Sequence, residues 1–207
     1  TASIAIGGTT TGNFISAAGI NKDTKRPESN SGLVGNTDCF LVTLNQWGEY
    51  TGAFQFGSME DDFLSALVVD HHGTIFAFVT RGDIMLRYAP EGGLDSMMVV
   101  FGPDLDYRYV AFVGKVGDDV FLTATQWYDP DCRAITCKSI IIAAGYTTGD
   151  LFGRHQGRED VFVMKYGGDD READLRDSAQ YGSGGTDIVT SIACGRDGSI
   201  YIAGYTN

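Results

Sequence analysis

Short apolar runs and polar, Gly-bearing turns alternate along the whole chain, and the runs fall into four recurring types. The first type ends in Gly-Tyr-Thr or a relative of it: residues 3–10, 74–81, 119–126, 140–147 and 199–206. The second opens on Asp: residues 38–44, 83–88 and 160–166. The third ends in an aromatic residue followed by Gly: residues 50–56, 96–101 and 173–181. The fourth precedes a tight turn that leads back to the first: residues 63–69, 107–115 and 188–194. Runs this short, rich in Val, Ile, Tyr and Phe and bounded by Gly, Asp and Asn, predict β-strands joined by hairpin-length turns. Many are apolar at nearly every position, as in Ile200-Tyr-Ile-Ala203. That pattern predicts sheets buried on both faces.

The four types recur in a fixed order, and the spacing gives a period. Asp38 to Asp83 is 45 residues, Gly57 to Gly102 is 45, Asp62 to Asp106 is 44, and Thr74 to Asp119 is 45. A four-stranded unit of about 45 residues is the size of one propeller blade. The predicted fold is therefore all-β: a β-propeller of four-stranded antiparallel blades, with about four units in 207 residues. The expected units are 1–56, 57–101, 102–126, 139–181 and 182–207 of a single domain, with polar inserts at 11–37 and 127–138. One place breaks the period. Asp119 and Ile140 begin two runs of the same type only 21 residues apart. A half-blade would leave unpaired strand edges, so the expectation is that residues are missing near 127–138.

Composition narrows the function classes. The net charge of −12 repels phosphate backbones and anionic lipid, so neither nucleic acid nor membrane insertion is expected. No apolar run approaches the roughly 20 residues of a membrane-spanning helix. The chain opens on Thr1 and closes on a strand, which suggests a processed or partial chain of a larger protein. Of the four cysteines, Cys132 and Cys137 bracket a short polar loop, the expected place for a disulfide, whereas Cys39 and Cys194 fall inside apolar strands as buried thiols.

Candidate chemistry is sparse. His71-His72 sits in a tight turn beside Asp70 and Gly73, and adjacent side chains rarely converge on one ion; His155 has no evident partner. The acidic groups Glu60-Asp61-Asp62, Asp118-Asp119, Asp129/Asp131 and Asp169-Asp170 would suit calcium, the one cofactor to consider. None has EF-hand spacing, and Asp at strand starts is explained by side-chain-to-backbone bonds in turns. No nucleophile motif or phosphate loop is present. No catalytic, cofactor or metal residue is assigned.

The residues Asp160-Val-Phe-Val-Met-Lys-Tyr166, Gln180-Tyr-Gly-Ser-Gly-Gly-Thr-Asp187, Ile192-Ala193 and Asp197-Gly-Ser-Ile-Tyr-Ile-Ala-Gly-Tyr-Thr206 resemble the SBBP β-propeller repeat family. Residues 38–80 match the same order more loosely and 83–126 weakly. Propellers in general imply that 188–194 is the innermost strand of a blade, followed outward by the 199–206, 160–166 and 173–181 types. The resemblance implies a large secreted or surface-attached protein with an adhesive or architectural role. The expected function is a non-catalytic extracellular structural or binding module, presenting loops 11–37 and 127–138 to a protein partner or further copies of itself in an oligomer or filament. Carbohydrate, met by Trp47, Trp127 and the many Tyr, is a second partner class. The alternatives are a propeller enzyme acting on polysaccharide and an intracellular interaction scaffold.

Overall fold

The computed structural model describes residues 4–14, 35–80, 93–127, 139–168 and 173–207. Among them are thirteen strands in four antiparallel sheets, and no helix forms a named element. The first sheet holds β1 (Ile4–Thr10), β2 (Asp38–Leu44) and β3 (Tyr50–Phe56), in that order. The second holds β4 (Phe63–Val69), β5 (Ile75–Thr80), β6 (Ser96–Phe101) and β7 (Tyr107–Val113). The third holds β8 (Asp119–Trp127), β9 (Ile140–Thr147), β10 (Asp160–Gly168) and β11 (Ala173–Tyr181). The last pairs β12 (Asp187–Cys194) with β13 (Ile200–Thr206).

Two strands have roles other than those expected. Tyr107–Val113 pairs with β6 and closes the second sheet as its fourth strand; it does not open a new one. Asp119–Trp127 pairs with Ile140–Thr147 as the first strand of the third sheet, and is not a degenerate Gly-Tyr-Thr strand. The two runs that stood too close for the period are thus hairpin partners in one sheet. No strands need be missing between them, and the expected unit limits at 101 and 126 fall inside sheets. In the second sheet β6 pairs directly with β5, so Ser96–Phe101 is its third strand and not its last. The strand expected at 83–88, the pair Cys132–Cys137 and the pair Asp169-Asp170 lie outside the described residues.

In the second and third sheets apolar residues on both faces of the strands follow from sheet stacking, whereas Tyr201 and Ile202 of β13, expected to be buried, are exposed. On β5, Ile75, Ala77 and Val79 pack toward the first sheet, while Phe76 and Phe78 pack toward the third. β6 divides the same way, with Met97, Val99 and Phe101 on one side and Met98 and Val100 on the other. Side chains alternate across a strand with period two, and here both faces meet a neighbouring sheet. A third cluster joins Ile142, Ala144 and Val163 of the third sheet to Val189 and Ile192 of β12. Burying a large aliphatic or aromatic side chain contributes about 1.5–3 kcal/mol, so these layers are the main source of stability.

One turn geometry serves three hairpins. In Asn45–Gly48, Asp70–Gly73 and Gly195–Gly198 the final Gly has φ of 81°, 84° and 82°. Its N–H donates to the carbonyl three residues back, at 3.0, 3.0 and 3.1 Å. This is a type I turn closed by a left-handed residue, for which Gly carries no steric penalty.

Candidate functional site

Among the described residues, most buried polar side chains gather where one sheet passes to the next. Three such seams are built from the same parts. At the first, Asp38 opens β2, Gly57 follows β3, and Asp62 precedes β4, the first strand of the next sheet. The second seam uses Asp95, Gly114 and Asp119, and the third uses Asp160, Gly182 and Asp187. A Cβ placed on any of the three glycines would collide with the carboxylate of Asp38, Asp95 or Asp160 respectively. The second Asp of each seam acts twice. Its N–H donates to a carbonyl of the preceding sheet: Asp62 to Thr37 at 2.9 Å, Asp119 to Leu94 at 2.5 Å, Asp187 to Glu159 at 2.8 Å. Its Oδ2 accepts the N–H four residues back, from Ser58 at 2.5 Å, Lys115 at 2.7 Å and Ser183 at 2.6 Å.

A glutamine completes the first and third seams. Gln55 Nε2 donates to Asp38 Oδ2 at 3.1 Å and to the Gly12 carbonyl at 3.1 Å. Gln180 Nε2 donates to Asp160 Oδ2 at 2.9 Å and to the Gly149 carbonyl at 3.0 Å. Its Oε1 accepts from the amides of Leu151, Phe152 and Gly153 at 3.1, 3.0 and 3.1 Å. Thr10 and Thr147 hold these glycines in the same way, each hydroxyl donating to the carbonyl and accepting the N–H of the Gly two residues on. The sequence reading found the Asp-led strands and the Gly-bearing turns. It gave no role to Gln55, Gln180, Asp95 or Gly114. The common Gly-x4-Asp spacing of Gly57/Asp62, Gly114/Asp119 and Gly182/Asp187 carries the signal for Gly114.

The electrostatics of the seams differ with burial. Asp62 is fully buried. Burial raises its pKa most; the Ser58 hydrogen bonds oppose this and the Asp38 and Asp61 charges add to it, leaving it at about 6. Asp187, in the better solvated third seam, is held below the ordinary carboxylate range by hydrogen bonds from the Thr206 hydroxyl and then Ser183. Cys39 is a buried free thiol, as expected, and its pKa is raised by burial and then by Asp62 and Asp38. Cys194 is free and half-buried.

The remaining candidates resolve into packing and turn chemistry. The rings of His71 and His72 touch at a tilt of 42° with centroids 3.8 Å apart; His71 Nδ1 lies 3.0 Å from Ser139 Oγ, and the His72 amide donates to Asp70 Oδ1. His155, for which the sequence showed no partner, places Nδ1 3.4 Å from Asp160 Oδ2. Trp127 packs on the Gly195–Gly198 turn and donates from Nε1 to the Arg196 carbonyl at 3.3 Å. Trp47 is exposed on its turn. Among the described residues, no group of three His, Cys, Asp or Glu side chains is placed to hold a metal ion. No protein-family model and no curated protein sequence matches the chain.

Proposed function

We propose that the four sheets are blades of a β-propeller of the SBBP type, and that the chain is a non-catalytic structural or binding module of an extracellular or cell-surface protein. The observation that carries this reading is the thrice-repeated seam. It stacks each sheet face to face on the next with the same polar joint, and β4, β8 and β12 lie side by side as first strands. Radial stacking of sheets around their first strands is the plan of a propeller. In that plan the innermost strands are 63–69, 119–127 and 187–194. Their only acidic residues, Asp119 and Asp187, stand at strand starts and are bound to backbone amides. A polysaccharide hydrolase built on this fold would need carboxylates converging there, so the non-catalytic reading is favoured.

The stacked sheets form a rigid support, and the inserts 11–37 and 127–138 are the elements that meet a protein partner or another copy of the chain. Replacing residues 15–33 and 128–138 with short Gly-Ser linkers is expected to preserve the circular dichroism spectrum while abolishing the self-association or partner capture seen by sedimentation velocity. Release of reducing ends from a surface polysaccharide by the purified chain would overturn the reading. Alkylation under denaturing conditions without reductant tests the compartment. An extracellular protein with a Cys132–Cys137 bond takes up label only at Cys39 and Cys194, whereas labelling of all four cysteines would count against it.

A further inference from the structure

The first two full seams have the same strands but not the same filling. Counting back from the seam glycine, Phe56 and Phe54 of β3 correspond to Val113 and Ala111 of β7. Strand register agrees: Cys39 and Leu41 face Phe56 and Phe54, and Ser96 and Met98, at the same distances from the seam Asp, face Val113 and Ala111. Opposite them, Phe101 of β6 corresponds to Tyr166 of β10, each six residues beyond its seam Asp. In the first seam Phe54 and Phe56 both close on Phe101, with ring centroids 5.2 Å away in each case. Leu105, fully buried at a φ of 60°, fills the space beside Gly52. In the second seam the two phenyl rings are replaced by a methyl and an isopropyl group, and a cleft of about 450 Å³ opens there.

Tyr109, Ala111, Phe112, Val113, Phe152 and Tyr166 line most of this cleft, with Leu175 and Lys115 also on its wall. Tyr166 is 5% exposed. Among the described residues its hydroxyl has one hydrogen-bond partner, the Met164 thioether at 3.5 Å. A thioether is a weak acceptor, and a buried phenol hydroxyl gains from a better one. Lys115 Nζ donates to the Leu151 carbonyl at 2.5 Å, which places a cation on the wall.

We propose that this cleft is a binding site for a small aromatic molecule bearing an anionic or carbonyl acceptor. Its ring would occupy the space that Phe54 and Phe56 fill in the neighbouring seam, and its acceptor would meet the Tyr166 hydroxyl and the Lys115 ammonium. Ring-on-edge packing against Tyr166 and Phe152, together with displacement of water from an apolar wall, supplies the affinity.

The probe is anilinonaphthalene sulfonate, which carries both the rings and the anionic acceptor. The native chain is expected to bind it saturably at one site, with blue-shifted emission and a raised Tm. Tyr166→Phe should weaken binding severalfold without changing the fold. Ala111→Phe combined with Val113→Phe, copying the first seam, should reduce affinity by more than about tenfold while Tm holds or rises. Retained affinity in that variant, or no saturable binding by the native chain, would overturn the proposal. If the double variant fails to fold, Leu175→Trp decides the matter, because Leu175 is 46% exposed and tolerant of change. A saturable shift in the emission of the introduced tryptophan supports the site, and an unchanged emission sinks it.

Discussion

At the scale of the residue, the same carboxylate serves in two electrostatic settings. Asp62 and Asp187 make the same pair of backbone bonds, yet burial and the facing Asp38 raise one pKa while hydroxyl and amide donors lower the other. A carboxyl whose folded pKa is raised favours the protonated native state. Its stabilisation is complete below the unfolded value near 3.8 and is lost as pH rises through about 6. The native chain should therefore show a fall in Tm between about pH 4 and pH 7 that Asp62→Asn flattens, since an amide keeps an acceptor for Ser58 and never ionises. An identical slope in both proteins would refute the assignment. Cys39 lies beside this pair with its pKa raised, and should resist thiol reagents until the chain unfolds.

At the scale of the element, the Gly of the Gly-Tyr-Thr strand has a physical reason. In β9 and β13 it faces the point where the first strand bulges, and a Cβ on Gly145 or Gly204 would collide with the carbonyl of Val120 or Ile188. In the second sheet the bulge falls at the same place, between Leu64 and Ala66, and Val79 stands where the other two sheets have the glycine. Gly145→Ala should thus cost about 1–3 kcal/mol, read as a lower midpoint in urea. Gln180→Ala tests a different joint. It removes the acceptor shared by three amides of the 151–153 segment, so a loss of about 1–3 kcal/mol should come with faster hydrogen exchange confined to those amides. Most strand positions were legible in the sequence, because apolar runs between Gly and Asp turns admit little else. Strand roles were less so. Tyr107–Val113 lacks the Gln-aromatic-Gly ending of its counterparts Tyr50–Phe56 and Ala173–Tyr181, and Asp119–Trp127, a first strand, falls one period after the second strand Ile75–Thr80. Forcing a period of 45 then aligned Gly102/Asp106 with Gly57/Asp62, when Gly114/Asp119 keeps the true spacing. The Phe-to-Ala and Phe-to-Val exchange behind the aromatic cleft became visible only once those roles were corrected.

At the scale of the molecule, the intervals between equivalent seam residues are unequal: Asp62 to Asp119 is 57 residues and Asp119 to Asp187 is 68. Length varies in the connections while the joints are kept, which explains why a single period fails here. Each sheet touches chiefly its neighbours, the condition for nearest-neighbour energetics in repeat proteins. Removing residues 187–207 should therefore leave the first two core clusters folded, with the circular dichroism signature retained and Tm lowered by the loss of the Ile142, Ala144 and Val163 contacts. Collapse of the whole β signal would show a more global cooperativity than the clusters imply.

The seam bond from each Asp amide to the sheet before it also decides where the protein can be cut and recombined. A sheet is not a self-contained cassette, because the Asp ahead of its first strand is folded into the joint of its predecessor, whose Gly must stay bare for the facing carboxylate. A segment exchanged between the visible ends of a sheet would carry a glycine into one context and its aspartate into another. Crossovers placed just after Asp62, Asp119 and Asp187 keep each joint whole, and those are the points at which units could be duplicated, deleted or swapped with the polar seam intact.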